Sequence, residues 1–451
     1  MAAAFPTLAI IGGGFAGTTL AVQARTAWPE ARILLFEPDE PGPGLAYSTP
    51  DPRHLLNVPA TGMSLHPDQP GHFATWLAGQ PDAPPQEEEP CFAPRRLYGR
   101  YLREQFRAAV GEGVRHVPCR VTAVRPLPEG GFRILAEDGT EHRAAQVVLA
   151  LGGFASEVGS PPHLFGNPWD PAALEGLDPE APILMVGLGL TMVDLLLSLR
   201  GQGHRGPVLG ISRHGWLPLP HVAGAFPPAW PIELPEGGPP DPRALMRLLR
   251  QAARKAEAAG QPWQAVLDGM RPRVQRVWQG WDGTARQRFL RHARSVWNLH
   301  RHRIAPAIAA FLAAERDSGA LEVIAARLES WQPAQGGVEA VLRRRDGRQV
   351  SRRVARVLLC TGPDSGGAWC RQPPVPALLE EGLAAPDDLG LGFAVRPEGQ
   401  VLSRNGQPIP GLFALGPLTR SCLWEVTAVP EIRAQASALL RRLALASGTR
   451  G

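Results

Sequence analysis

At 451 residues the chain is long enough for two or three domains with substantial cores. A net charge of +5 invites a nucleic-acid reading, but the basic residues are almost all Arg, scattered among 48 Pro and 50 Gly. Short clusters such as Arg343-Arg344-Arg345 and Arg352-Arg353 lack interleaved aromatics, which excludes that class. The five Cys form no CxxC or CxxxxC pair and no apolar run approaches the ~20 residues of a membrane span, so a redox dithiol, a disulfide framework and a membrane segment are not expected.

In chain order, the apolar run Leu8-Ala9-Ile10-Ile11 breaks into Gly12-Gly13-Gly14-Phe15-Ala16-Gly17, an amphipathic stretch follows, and a second run, Ile33-Leu34-Leu35-Phe36, ends on Glu37. Strand, tight turn, helix, strand and acidic residue form the complete dinucleotide fingerprint in its required context. Gly12 permits the turn, Gly14 keeps the backbone clear for a pyrophosphate, and Gly17 lets the helix pack close to the strand. The helix N-terminus offers free N–H groups to the diphosphate, and Glu37 suits a ribose hydroxyl of FAD. No Lys or Arg precedes Arg25, so the first apolar run is not a secretory signal and a cytoplasmic protein is expected.

Residues 38–93 are rich in Pro and Gly yet carry Leu45, Leu55, Leu56, Val58, Met63, Phe73 and Trp76, and are expected to wrap a cofactor as ordered chain. Glu87-Glu88-Glu89 read as solvated. A helix is expected over 95–110, strands over 113–126, 131–137 and 146–151, and a linker over 160–182. The second glycine turn, Gly187-Leu188-Gly189-Leu190-Thr191-Met192, follows the strand 183–186 and has Met192 at the third glycine position. The next strand ends in Ser212-Arg213 where an acidic residue would mark NAD, and a guanidinium there suits the 2′-phosphate of NADPH. A helical block is expected over 241–317, with Trp263, Trp278, Trp281 and Trp297 as core. Strands return at 321–328, 338–343 and 354–359, the last ending in Cys360-Thr361-Gly362 with Cys360 as a small buried residue. A final helix over 430–446 closes the pattern.

The fold class is α/β, with two Rossmann-type dinucleotide-binding domains and a helical block. The expected divisions are 1–165 for the N-terminal part of an FAD domain, 180–365 for an inserted NADPH domain with its helical insertion at about 241–317, and 366–451 for the C-terminal part of the FAD domain.

With both turns placed, the chain resembles the bacterial FAD-NAD(P)-binding flavoproteins, which are related to class B flavin monooxygenases and include enzymes similar to aspartate N-monooxygenase. The resemblance rests on Gly12 to Gly17, Gly44-Leu45-Ala46-Tyr47, His54 to Ala60, Arg96 to Gly99, Ser212 to Gly215, His300-Arg301-His302-Arg303, Cys360 to Pro363, Leu415 to Arg420 and Trp424 to Glu431. It implies FAD contacts at Gly12, Gly13, Gly14, Phe15, Ala16, Gly17, Glu37, Leu56, Asn57, Val121, Gly416 and Val429, and NADPH contacts at Gly187, Gly189, Thr191, Ser212 and Arg213. It also implies that the last helix points its N-terminus at the flavin. The usual Gly-Asp near the ribityl chain is replaced by Gly416-Pro417. The Baeyer–Villiger fingerprint is not met, because Glu157 stands for Phe and five residues separate His163 from Trp169.

His54, Asn57, His300 and Arg303 are the candidate catalytic groups, Asp194 is expected to pair or cap, and no metal site is expected. The resemblance implies an NADPH-consuming FAD monooxygenase acting with O2 on a small polar molecule, at an amine nitrogen in the N-hydroxylating version. A flavin reductase serving a quinone or carrier, and a non-enzymatic nucleotide-binding redox sensor, remain the alternatives.

Overall fold

A computed structural model describes residues 7–85, 90–111, 113–152, 163–224, 227–362 and 367–446. Glu87-Glu88-Glu89, residues 157–162 of the Baeyer–Villiger segment and Pro363 lie outside these residues.

Along the first unit run β1 (Leu8–Ile11), α1 (Phe15–Ala27), β2 (Ile33–Phe36), α2 (Gly44–Tyr47), α3 (His72–Ala78), α4 (Arg95–Ala109), β3 (Val114–Val117), β4 (Val121–Pro126), β5 (Phe132–Ala136), β6 (Glu141–Ala144) and β7 (Gln146–Leu149). The second unit comprises β8 (Leu164–Phe165), β9 (Ile183–Val186), α5 (Leu190–Gly201), β10 (Val208–Ser212), α6 (Pro242–Ala258), α7 (Gln264–Met270), α8 (Val274–Gly280), α9 (Gly283–His292), α10 (Arg294–Arg301), α11 (Pro306–Asp317), β11 (Leu321–Ala334), β12 (Gly337–Arg344), β13 (Gln349–Val354) and β14 (Arg356–Leu359). The chain returns through α12 (Val375–Glu380), β15 (Gln400–Leu402), β16 (Pro408–Ala414) and α13 (Val429–Ala446).

The strands β1, β2 and β7 are short, wholly buried apolar runs, the pattern of a parallel sheet covered on both faces. They stand in a six-stranded sheet of order β15-β16-β7-β1-β2-β3, so both ends of the chain build one sheet. Helices α1, α4 and α13 cover one face, with Leu20, Tyr98, Tyr101, Ile432 and Leu439 in the core. The antiparallel sheet β4-β5-β6 and the segment around α12 cover the other.

The second sheet has the order β13-β12-β11-β10-β9-β14-β8. β11 is long because it serves two partners: Leu321 to Ala325 run parallel to β10, and Ala326 to Ala334 run antiparallel to β12 across a bulge. Helices α6 to α11 form the expected helical block. Asp241 caps α6 by accepting from the N–H groups of Arg243 and Ala244, and Asp282 caps α9 through Ala285 N–H. The block buries Trp278, Trp281 and Trp297 together with Trp424 and Leu391 of the C-terminal part.

Several sequence expectations change. The run 113–126 divides at Cys119-Arg120 into β3 and β4, which belong to different sheets. The run 354–359 divides at Ala355. Leu164–Phe165, inside the expected linker and at the end of the expected first unit, pair with β14 as the edge of the second sheet. Two-residue edge pairings leave no periodic signal in a sequence.

Candidate functional site

The first turn is held open by close approaches. Gly12 has φ +103°, and a Cβ there would lie 2.7 Å from the Ala150 carbonyl oxygen just beyond β7. A Cβ at Gly17 would lie 1.8 Å from the Gly12 oxygen, so only glycine lets α1 sit on its strand. A Cβ on Gly13 would run into the Glu37 side chain at 2.6 Å, and Gly13 N–H donates to Glu37 Oε2 at 2.7 Å. Glu37 Oε1 has a long 3.5 Å contact from Asp39 N–H, which leaves it suited to a ribose hydroxyl. Gly14 caps α1 without a side-chain hydrogen bond, so the first-turn N–H groups of Phe15, Ala16 and Gly17 face outward, the arrangement that binds a diphosphate. Gly14 also faces Gly44, whose added Cβ would meet the Gly14 Cα at 2.9 Å, so α2 lies directly over the turn.

Gly416 lies on the same helix end: its φ is +82° and an added Cβ would touch Ala16 at 3.3 Å. Its N–H donates to Gln435 Oε1, and Gln435 donates in turn to the Thr419 hydroxyl. With Pro417 where an Asp is usual, backbone and these amide groups are what this chain places there. Val121 is buried beside Phe36 and Val117 at the strand ends, and Val429 is buried at the start of α13. The first turn of α13 holds Glu431, whose Oε1 accepts from Arg271 at 2.7 Å and Arg301 at 3.3 Å. The helix dipole there already serves a paired carboxylate.

Residues 49–57 tie this unit to the second one. The His54 side chain is 2% exposed. Its Nε2–H donates to the Asp194 carbonyl at 2.8 Å, with Ser198 Oγ at 2.9 Å, while Nδ1 accepts from Thr49 Oγ1 at 2.8 Å. Both ring nitrogens are committed, so His54 is a positioning residue and not an acid or base. Asp194 pairs with Arg95 of α4 at 2.8 Å, and Arg95 also donates to the Leu55 carbonyl. Burial pushes the Asp194 carboxyl up, opposed by Arg95 and His54. Leu56 is buried, and the Asn57 carbonyl accepts from His221 Nε2 at 3.0 Å. Leu56, Asn57, Arg95, Leu190, Asp194 and Ile304 line one narrow cleft between the units.

The second turn repeats the first. Gly187 has φ +108°, and an added Cβ would lie 2.3 Å from the Cys360 carbonyl oxygen, as Gly12 lies under Ala150. Cys360 is buried and its thiol is pushed up by that burial, so it fills space and is not a nucleophile. Gly189 caps α5 in extended conformation with no heavy atom within 4 Å of an added Cβ, and Thr191 stands in the first turn. Met192 is wholly buried. Ser212 Oγ accepts from Gly215 N–H at 3.0 Å, and Arg213 Nη2 donates to Ser295 Oγ at 3.3 Å.

The motif His300 to Arg303 does not act as a unit. His300 Nδ1–H donates to the Val296 carbonyl of its own helix at 2.8 Å, and its ring stands edge-on to Trp263. Arg303 pairs with Asp268 of α7 at 2.7 Å. Arg301 is the buried centre: it reaches Glu425 at 3.0 Å and Glu431 at 3.3 Å, while Trp297 Nε1–H donates to Glu425 at 2.6 Å. No local spacing marks that network, because its acids come from the last 30 residues and its bases from the helical block. Among the described residues no group of three or more His, Cys, Asp or Glu is placed to hold a metal ion.

Residues 9–154 match the family model described as FAD-NAD(P)-binding. Over 251 residues the chain is 30% identical to the L-aspartate N-monooxygenase (nitrosuccinate-forming) of Streptomyces cremeus, covering 44% of this chain and 38% of that protein. The chain thus spans well under half the length of this curated relative. Among solved structures it is similar to the ornithine N-hydroxylase of Kutzneria sp. 744, with a TM-score of 0.62 and 13% identity over 98% of this chain and 99% of that one. It is also similar to the thioredoxin reductase of Lactococcus lactis, with a TM-score of 0.52 and 12% identity over 99% and 100% of the two chains. The family match thus covers the first part of the chain, and the whole chain has the two-domain fold of these solved structures.

Proposed function

We propose that the protein is a cytoplasmic NADPH-consuming FAD monooxygenase that hydroxylates an amine nitrogen of a small polar substrate with O2. The observation that carries the reading is the matched pair of glycine turns, Gly12 under Ala150 and Gly187 under Cys360, tied across one cleft by residues 49–57. The aspartate N-monooxygenase relative supports the N-hydroxylating version. The nucleotides would supply hydride transfer and oxygen activation.

This chain's own part is binding and exclusion of water. The free N–H groups of α1 would hold the FAD diphosphate, Glu37 its ribose, and α2 would cover it from above. The start of α5 would hold the NADPH diphosphate, with Arg213 on its 2′-phosphate. Leu56 and Asn57 on one wall and Leu190 and Ile304 on the other narrow the cleft that would shield the reacting atoms from water. The His54 and Asp194 contacts hold the two walls in register.

The deciding experiment is oxygen uptake with NADPH across a panel of amines and amino acids. The expected result is a substrate for which one O2 is consumed per hydroxylated product. Rapid NADPH-driven reduction of added quinones, with no hydroxylated product from any member, would replace this reading with the reductase one. The sequence holds no CxxC or CxxxxC pair, which counts against a disulfide substrate relayed by a dithiol.

A further inference from the structure

The face beyond the end of β10 carries more positive charge than one nucleotide turn needs. Register brings Ser212 opposite Ala325, a Cβ on Gly215 would touch Ala325 N at 3.2 Å, and Arg345 donates its N–H to the Ala325 carbonyl at 3.3 Å. Arg213 therefore shares a neighbourhood with Arg345 and with Arg327, two residues beyond Ala325. From the other side comes the helical block, where Arg213 reaches Ser295 and stands beside half-buried Arg294. Among the described residues no carboxylate lies within 4.0 Å of exposed Arg213, Arg327 and Arg345 or of half-buried Arg294. His214 and Trp216 stack at 4.3 Å along the edge of this face, and Trp216 is 40% exposed.

Four like charges without counterions repel, and half-buried Arg294 carries a desolvation cost as well. Burial and Arg213 hold the Arg294 guanidinium below its usual range, and burial with Arg213, Arg345 and Arg327 does the same to His214. A bound dianion would relieve all of them at once, and the exposed aromatic surface alongside suits a purine better than a free inorganic ion.

Resting on the NADPH reading above, we propose that Arg294, Ser295 and Arg345 complete with Arg213 a single site for the 2′-phosphate of an adenine nucleotide. Helix α10 would thus be part of the NADPH site. Because Trp297 of the same helix is bonded to Glu425, nucleotide binding would be linked to the C-terminal part of the FAD unit.

Isothermal titration of the full-length, FAD-loaded protein with adenosine 2′,5′-bisphosphate and with adenosine 5′-monophosphate tests this. The wild type is expected to bind the bisphosphate at least about tenfold more tightly. Arg294→Gln and Arg345→Gln should each weaken the bisphosphate by about tenfold and leave the monophosphate within about twofold, while Arg294→Lys should keep most of the affinity. Unchanged bisphosphate binding in both glutamine variants, or equal loss for both ligands, would overturn the inference while a preference lost only in Arg213→Ala would leave the NADPH reading standing. If the wild type does not prefer the bisphosphate, the NADPH reading itself fails and this site with it. FAD content reports folding; should Arg294→Gln lose it, Arg345→Gln and Arg294→Lys decide.

Discussion

The two glycine turns solve one steric problem and differ in what they do with the solution. In both, the first glycine lies under a carbonyl oxygen one residue past the neighbouring strand, where an added Cβ would fall 2.7 Å from it at Gly12 and 2.3 Å at Gly187. At the third position they part. Gly17 lets α1 pack so close that an added Cβ would fall 1.8 Å from the Gly12 oxygen, whereas at the equivalent position Met192 places a wholly buried side chain. The middle glycines differ too: Gly14 is roofed by Gly44, and Gly189 has open space before it. A roofed turn with close helix packing suits a nucleotide that stays; an open turn suits one that comes and goes.

The comparison breaks most sharply at the third position. Gly17→Ala must displace the Gly12 carbonyl or push α1 off β1, and the expected outcome is loss of bound flavin, read from the absorbance of the purified protein against its protein content. Retention of stoichiometric FAD would show that the close packing is dispensable. In the second turn the opposite change is the costly one. Met192→Ala removes a fully buried side chain among Leu188, Leu195, Leu196 and Ile308, and should destabilise the protein by about 2–5 kcal/mol in denaturant titration. If Met192 were only a degraded glycine, the variant would be neutral or would bind NADPH more tightly.

These turns were legible because everything that makes them is local: strand, glycines, helix and the residue ending the next strand lie within 30 residues. The ties between them were not. His54 reads as a candidate acid or base, and only the docking of residues 49–57 on α5 shows both nitrogens occupied by Thr49 and Asp194. His300 and Arg303 look like a cluster because they adjoin in sequence, yet one turns back on its own helix and the other crosses to Asp268. Arg301 between them reaches further along the chain than either, to Glu425 and Glu431. Spacing reports neighbours along an element, and the Arg301 contact to Glu431 joins residues 130 apart in the chain.

The nucleotide preference of the second turn is the next test. Arg213→Ala removes a charge-assisted contact worth roughly 1.5–3 kcal/mol, so NADPH affinity should fall about ten- to a hundredfold with NADH nearly unchanged. Equal losses for both nucleotides would make Arg213 a support for Ser295 and α10 instead of a phosphate ligand.

The smallest effect concerns how the two units are held together, and it depends on pH. His221 lies between them: its Nε2 bonds the Asn57 carbonyl, and its ring packs on Phe92 at 5.0 Å. Burial first, and Arg303 next, drive its pKa from 6.5 down to about 4. The native state therefore binds fewer protons there than the unfolded chain does. The stability tied to the neutral ring is complete above pH 6.5, and it is lost as pH falls from 6.5 toward 4, by at most about 3 kcal/mol. His221→Gln keeps a donor for Asn57 and removes the titration. Unfolding free energies of the two proteins, measured by denaturant titration between pH 7 and 4.5, should diverge, with the wild type falling faster as the pH drops. Parallel curves would mean that the His221 ring takes up its proton in place, and that the contact between the Asn57 loop and the second unit tolerates the charge.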